Sequence, residues 1–293
     1  MSPDALRAIV LLALLCLTAP AQAAGRVVAL DWALAETLLG LGITPLGVAE
    51  PDGYRRWTSE PALPATVTDV GLRIEPNLEL LQALAPQLIL ISPGFQSGVN
   101  RPFLERIAPV RLIAIYTAEG HPYDRARSET MVLAATLGRE AAGRALLDRT
   151  EAAITMAAQR LVSCAATVRP LYLVAFVDDR HVRVFGRGGM YQDVLERLGL
   201  RNAWTGPATA WGFVTVGIEE LAGVAEAALL HFEPASGAVA PRLGDSPLWR
   251  GLDFVRGNRV QALPAVWAFG GLPSAARFAT LLADRLARDC GHG

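Results

Sequence analysis

The chain carries four histidines, His121, His181, His231 and His292, and no two of them stand at metal-ligand spacing. No CxxC or HxxH pair occurs, so a metal site would have to be assembled from residues distant in sequence. No GxSxG nucleophile elbow is present, and the acidic residues are scattered without an acid/base couple. All 27 cationic side chains are arginine. The lack of lysine excludes a phosphate-loop lysine, a Schiff base and a kinase strand lysine. Gly186-Arg187-Gly188-Gly189 precedes a predicted helix but has neither Rossmann spacing nor a lysine, so it reads as a turn.

What remains is aromatic and cationic. Tyr54, Trp57, Phe95, Trp211, Trp267 and Phe269 lie in or beside segments rich in Gly, Pro, Ser or Thr, and Arg73 sits in DVGLRIEPN between a glycine turn and a helix start. A single large aromatic in a loop caps the core as often as it binds anything. Several from both halves, with one arginine, suit an apolar cleft between lobes. The guanidinium is a permanently charged fork that can contact two electron-rich oxygens at once.

The elements that must position these residues alternate. Arg26 to Leu30 reads as a strand, Ala33 to Leu41 as a helix that Gly42 stops, and Pro45 to Ala49 as a second strand. Glu50 to Gly71 reads as loop. A helix from Asn77 to Leu84 leads into the buried strand Leu88 to Ile91; a helix near Phe103 precedes a strand from Arg111 to Tyr116. Such apolar runs between helices indicate parallel, two-sided sheets. From Ser128 to Leu161 only Gly138 and Gly143 interrupt helix formers, which predicts a helix over about 139–162 that is ~36 Å long at 1.5 Å per residue. Leu171 to Val177 and His181 to Phe185 then read as strands joined at Asp178-Asp179, followed by a helix over 191–198, strands over 213–216 and 228–232, and an amphipathic helix over 274–286. LELLQALAPQLILI at 78–91 aligns without gaps with IEELAGVAEAALLH at 218–231, pairing Glu79 with Glu219. The expected fold is two similar α/β lobes with mainly parallel sheets, joined by one long α-helix. The boundaries are an N-terminal lobe over 24–122, a helical connection over 123–168 and a C-terminal lobe over 169–293.

At 52% hydrophobic and 19% charged, the chain is globular, and its net charge of −1 gives no basic field for nucleic acid. Arg7, the apolar run Ala8 to Leu17 and Ala21-Gln22-Ala23 form an export signal with cleavage after Ala23, too short to span a membrane. Leu15 stands before Cys16 where a lipobox needs a small residue. Cys164 and Cys290 remain in an oxidising compartment, where they either bridge or stay two thiols.

Several segments resemble one family, the periplasmic iron(III)-hydroxamate-binding proteins of siderophore ABC importers. They are RVVALDW at 26–32, GITPLGVAE at 42–50, YRRWTSEPALP at 54–64, DVGLRIEPNLELL at 69–81, AWGFVTV at 210–216 and PLWRGLDFVRGNRVQALPAVW at 247–267. The resemblance implies a monomeric binding protein of the periplasm, not an enzyme. It would need no cofactor of its own, because the siderophore already coordinates the iron. It implies that Arg73 contacts the hydroxamate oxygens and that Trp57, Trp211 and Trp267 line the cleft. Phe95 and Phe269 stand where the family has tyrosines, and Thr209 and Phe213 replace polar positions around Trp211. The pocket is accordingly expected to be more apolar and fitted to an altered siderophore. Glu79 and Glu219 would dock the two lobes onto an inner-membrane ABC permease. Relatives that bind other ferric chelates, haem or corrinoids share the lobe pattern, and an exported α/β enzyme is the reading from another class.

Overall fold

A computed structural model describes residues 25–93, 101–162, 168–233 and 239–290. The export signal, Phe95 and Cys164 lie outside the described residues, and with Cys164 so does the question of a bridge to Cys290.

The first sheet is fully parallel and runs β3-β2-β1-β4-β5. Its strands are β1 (Val27–Ala29), β2 (Gly47–Val48), β3 (Thr68–Asp69), β4 (Leu88–Ile91) and β5 (Val110–Leu112). Between them run α1 (Trp32–Gly40), α2 (Pro51–Trp57), α3 (Leu78–Leu84) and α4 (Arg101–Leu104). The second sheet runs β10-β9-β6-β7-β8. It comprises β6 (Leu171–Phe176), β7 (His181–Phe185), β8 (Phe213–Gly217), β9 (Ala228–Phe232) and β10 (Val260–Leu263). Read from its other end, this order matches the first sheet strand for strand. The difference is β7, which is antiparallel to β6 and β8 because a tight turn precedes it. There Asp178 Oδ1 accepts from the N–H groups of Arg180 and His181, each at 2.7 Å.

Period-two alternation distributes these strands between cores. Val28, Leu30, Ile89 and Ile91 face one outer core, and Tyr172, Val174, Val182 and Val184 face the other. Val27, Ala29, Leu90, Leu173, Phe185 and Leu230 all join a single inner core that both lobes share. Through it run α5 (Pro122–Thr136), α6 (Glu140–Leu161) and α11 (Leu272–Cys290). At 22 residues α6 is ~33 Å long, the predicted connection between lobes. The amphipathic C-terminal helix α11 lies along α6 and also packs on α1 of the first lobe and α7 (Met190–Arg197) of the second. Two long helices therefore stiffen the link.

The segment read as loop over 50–71 is the main correction. It contains α2, which starts with Pro51 in its first turn and ends with Arg55 and Arg56 in its last, both favourable placements. Only Pro51 and Tyr54 of this short helix are buried, so no helical period shows in the sequence. The three short helices α8 (Ala240–Asp245), α9 (Pro247–Gly251) and α10 (Asp253–Arg256) then lead to β10. Among the described residues no helix is long and apolar enough to cross a membrane.

Candidate functional site

The C-terminal ends of the first sheet's strands converge on the junction between the lobes. After β1, Asp31 caps α1 by accepting from the Ala33 N–H at 2.8 Å, and Ser92, after β4, donates to its other oxygen at 2.8 Å. The cap places Trp32, whose Nε1 donates to the Ala49 carbonyl at 3.0 Å. Burial raises the Asp31 pKa above the usual carboxylate range; the Ser92 hydroxyl, the Ala33 amide and the Arg73 charge pull the other way. Past β3, the Arg73 guanidinium lies 3.9 Å from the centroid of Trp32 and 5.6 Å from that of Trp267. Glu50 takes the Arg73 Nε in an ion pair. The arginine is thus held over an aromatic ring and against a carboxylate, an arrangement that favours a guanidinium over an ammonium.

Trp267 continues the surface. Its ring is 4.6 Å from Trp32 and 5.1 Å from Phe269. Phe269 is the hub, with Trp211 at 5.8 Å, Phe213 at 5.4 Å and Tyr116 at 6.1 Å. Tyr116 also stacks on Trp211 at 5.5 Å. Trp211, Trp267 and Phe269 are half-buried, so part of each ring remains open. A recess of about 820 Å³ is walled by Thr117–His121, which follow Tyr116, by Thr205–Ala210, which precede Trp211, and by Arg187, Gln192, Asp193 and Glu196; none of the three rings lines it.

The backbone under these rings is pinned by both lobes. Tyr116 of the first lobe donates to the carbonyls of Gly270 (2.7 Å) and Ala268 (3.2 Å). Tyr191 of the second donates to Val266 at 2.8 Å, and Arg277 of α11 donates to Ala265 at 3.1 Å. Glu36 of α1 accepts from the Gly271 N–H and, at 2.6 Å, from the Ser274 hydroxyl. Trp211 is set by Gly212, at φ 71°, where an added Cβ would fall 2.1 Å from the Gly189 backbone. Only glycine fits there, and Gly212→Ala should displace Trp211 and Phe213 together, seen as changed tryptophan emission in the ligand-free protein.

The structure thus gathers Arg73, Trp211, Trp267 and Phe269 into one surface. Trp57 packs on the shared core from the last turn of α2 and makes no ring contact with this group among the described residues. Tyr54 is a correction: it is fully buried, and its hydroxyl donates to the Pro61 carbonyl at 2.7 Å. Its aromatic type in a Pro- and Thr-rich stretch suggested a cleft residue, but α2 turns it into the core. Trp32, Glu50, Tyr116 and Arg183 were not singled out by sequence. Trp32 follows the end of β1 by three residues, and that position at a strand's carboxyl end was the available signal. Glu79 and Glu219 are both exposed, in the first turns of α3 and of the 3₁₀ helix Ile218–Gly223. Among the described residues no group of three or more His, Cys, Asp or Glu is arranged to hold a metal ion.

A family model described as periplasmic binding protein matches residues 27–266. The iron(3+)-hydroxamate-binding protein FhuD of Escherichia coli (strain K12) is 39% identical over 257 residues, covering 88% of this chain and 85% of that protein. The Fe(3+) dicitrate-binding periplasmic protein FecB of the same organism is 26% identical over 253 residues, covering 83% and 78%. Among solved structures, the Fe3+-Desferal-bound siderophore-binding protein FhuD from Vibrio cholerae aligns with a TM-score of 0.83 at 32% identity, covering 90% of this chain and 98% of that one.

Proposed function

The chain belongs to the periplasmic binding protein family, and from that premise we propose that it captures an iron(III)-siderophore complex of hydroxamate type in the aromatic cleft and hands it to the permease of an ABC importer. Membership of the family puts the protein in the periplasm, as the binding component of a transport system with a cognate permease.

The observation that carries the ligand reading is the placement of Arg73. A guanidinium fixed by Glu50 and packed on Trp32, with Trp267 beside it, costs little further entropy on binding. A guanidinium so placed can meet oxygens that share negative charge with iron. The rings of Trp211, Trp267 and Phe269 suit the apolar linkers between chelating groups. Iron arrives already coordinated, so the cleft has to recognise only the outside of the complex. Phe269 and Phe213 present no hydroxyl, which makes the wall beside Trp211 apolar.

The test is quenching of intrinsic tryptophan fluorescence by ferrichrome-, ferrioxamine- and citrate-hydroxamate-type complexes. Saturable quenching at micromolar or lower concentration is expected with at least one; silence across the set overturns the hydroxamate reading. Arg73→Ala should weaken the best complex by about 1.5–3 kcal/mol, the range for hydrogen bonds to charged groups. An unchanged affinity removes Arg73 from the site. Glu79 and Glu219 are the proposed permease-docking acids, one on each lobe.

A further inference from the structure

A second arginine stands at the other end of the same aromatic strip. Arg183 lies on β7 between Val182 and Val184, which point into the outer core of the second lobe. Alternation along the strand therefore turns Arg183 to the side of Phe185, toward the shared core and the cleft. Its guanidinium carbon is 4.5 Å from the Phe213 centroid and 5.9 Å from that of Phe269. Phe269 touches Trp267, whose ring centroid lies 5.6 Å from the Arg73 guanidinium carbon. The strip is thus bracketed by one arginine from each lobe.

The two cations are not equivalent. Arg73 is neutralised by Glu50. Arg183 has no ion pair among the described residues, and its Nε is buried without a hydrogen-bond partner there. Desolvation lowers its pKa from the ordinary arginine value, with no carboxylate offsetting the effect. A charge held against apolar rings without a counter-ion is costly to the folded protein. An anion brought by the ligand would remove that cost, and only when the ligand is bound.

The ligand's charge follows from its chemistry. Three hydroxamates cancel the charge of iron(III), leaving a neutral complex. Replacing one of them by a hydroxycarboxylate, with further free carboxylates on the same backbone, leaves a net negative complex. We propose that Arg183 is the counter-charge for such a group, so that the cleft prefers carboxylate-bearing, net anionic ferric chelates over neutral tris-hydroxamates. This rests on the siderophore reading above and narrows it to a substrate class.

The experiment is a tryptophan-fluorescence titration of the mature chain with ferrichrome as the neutral probe and a ferric citrate-based dihydroxamate as the anionic one, each at low and high salt. The wild-type protein should bind the anionic chelate more tightly, with an affinity that falls as salt screens it. Arg183→Leu should weaken the anionic chelate at least tenfold and the neutral one by a clearly smaller factor, and Arg183→Lys should recover part of the difference. Equal losses for both chelates would make Arg183 a structural residue and overturn the proposal, as would no loss for either. A wild-type preference for ferrichrome overturns it without any variant, so the test does not depend on how well the variants fold. Binding of both probes without charge preference defeats this inference alone; silence toward both defeats the siderophore reading with it.

Discussion

Glu36→Ala should destabilise the protein by about 2–4 kcal/mol, more than most substitutions outside the ligand cleft. Glu36 is fully buried on α1, yet its partners belong to the start of α11, 235 residues or more further along the chain. Its carboxyl takes the Gly271 N–H and the Ser274 hydroxyl, donors that an alanine would leave without acceptors in a dry interior. The missing side chain would also leave a cavity between α1 and α11. Because Gly270 and Gly271 end the segment that carries Trp267 and Phe269, ligand affinity should fall with stability. The protonation state gives a second, sharper test. Burial pushes the Glu36 pKa up to about 8, against the opposing effect of the Ser274 and Gly271 hydrogen bonds. A carboxyl whose folded pKa exceeds its unfolded value of 4.5 stabilises fully below that value, and the contribution is lost as pH rises through about 8. Wild-type stability should therefore decline across this window, by an amount on the order of a few kcal/mol from this group. Glu36→Gln keeps the shape and an acceptor but cannot titrate, so it should cost less than Glu36→Ala and flatten the decline. The comparison is urea unfolding of wild type and Glu36→Gln between pH 5 and pH 8; parallel curves would show that Glu36 does not titrate there. Asp31 and Asp193, also raised mainly by burial, are present in both proteins and drop out of the difference.

The residues that were legible in the sequence are those whose neighbours in the chain are also their neighbours in space. Leu88 to Ile91 and Leu171 to Phe176 announce themselves as apolar runs because parallel strands are covered on both faces. α6 is readable because 22 residues pass without a breaker strong enough to end it. The likeness of 78–91 to 218–231 is real in space: Leu81 and Leu221 are both fully buried, and the helical turns they anchor lead to β4 and β9, which occupy equivalent places in the two sheets. The cleft is different. Arg73, Tyr116, Trp211 and Trp267 come from four separate segments, and no spacing within the chain records that they meet. Type and loop-like surroundings found Trp211, Trp267 and Phe269 but gave Tyr54 the same label, since nothing local revealed α2. Arg183 sits in a strand whose alternation predicts only that it leaves the outer core. That this side faces aromatic rings of the cleft depends on Phe213 and Phe269 arriving from elsewhere. Likewise Glu36 falls on a helix whose early residues are buried throughout, so its sequence offers no sign that a carboxyl there caps a helix from the far end of the chain.

Substituting Glu79 and Glu219 together with alanine should abolish siderophore-dependent uptake while leaving the affinity for the ferric complex intact. Since β3-β2-β1-β4-β5 and β8-β7-β6-β9-β10 coincide in order, the turn after β3 and the turn after β8 are equivalent, and each carries one of these acids. Both side chains are exposed, and neither makes an ion pair among the described residues. A glutamate in a first helical turn is favoured by the backbone dipole, which accounts for one such residue but not for its recurrence at matched places on two lobes. A permease built from two like halves would present two like cationic pockets, and a binding protein with matched acids can satisfy both at once. Truncating one partner of a buried, hydrogen-bonded charge pair costs about 2–5 kcal/mol, so losing both would weaken docking by three orders of magnitude or more. Neither residue touches the aromatic cleft, so fluorescence titration of the double variant should match wild type, while cells depending on it should fail to accumulate iron from the complex. A single variant should retain part of the transport, because the other lobe still docks. Normal uptake by the double variant would assign both glutamates to helix starts alone and place the permease contact on another surface.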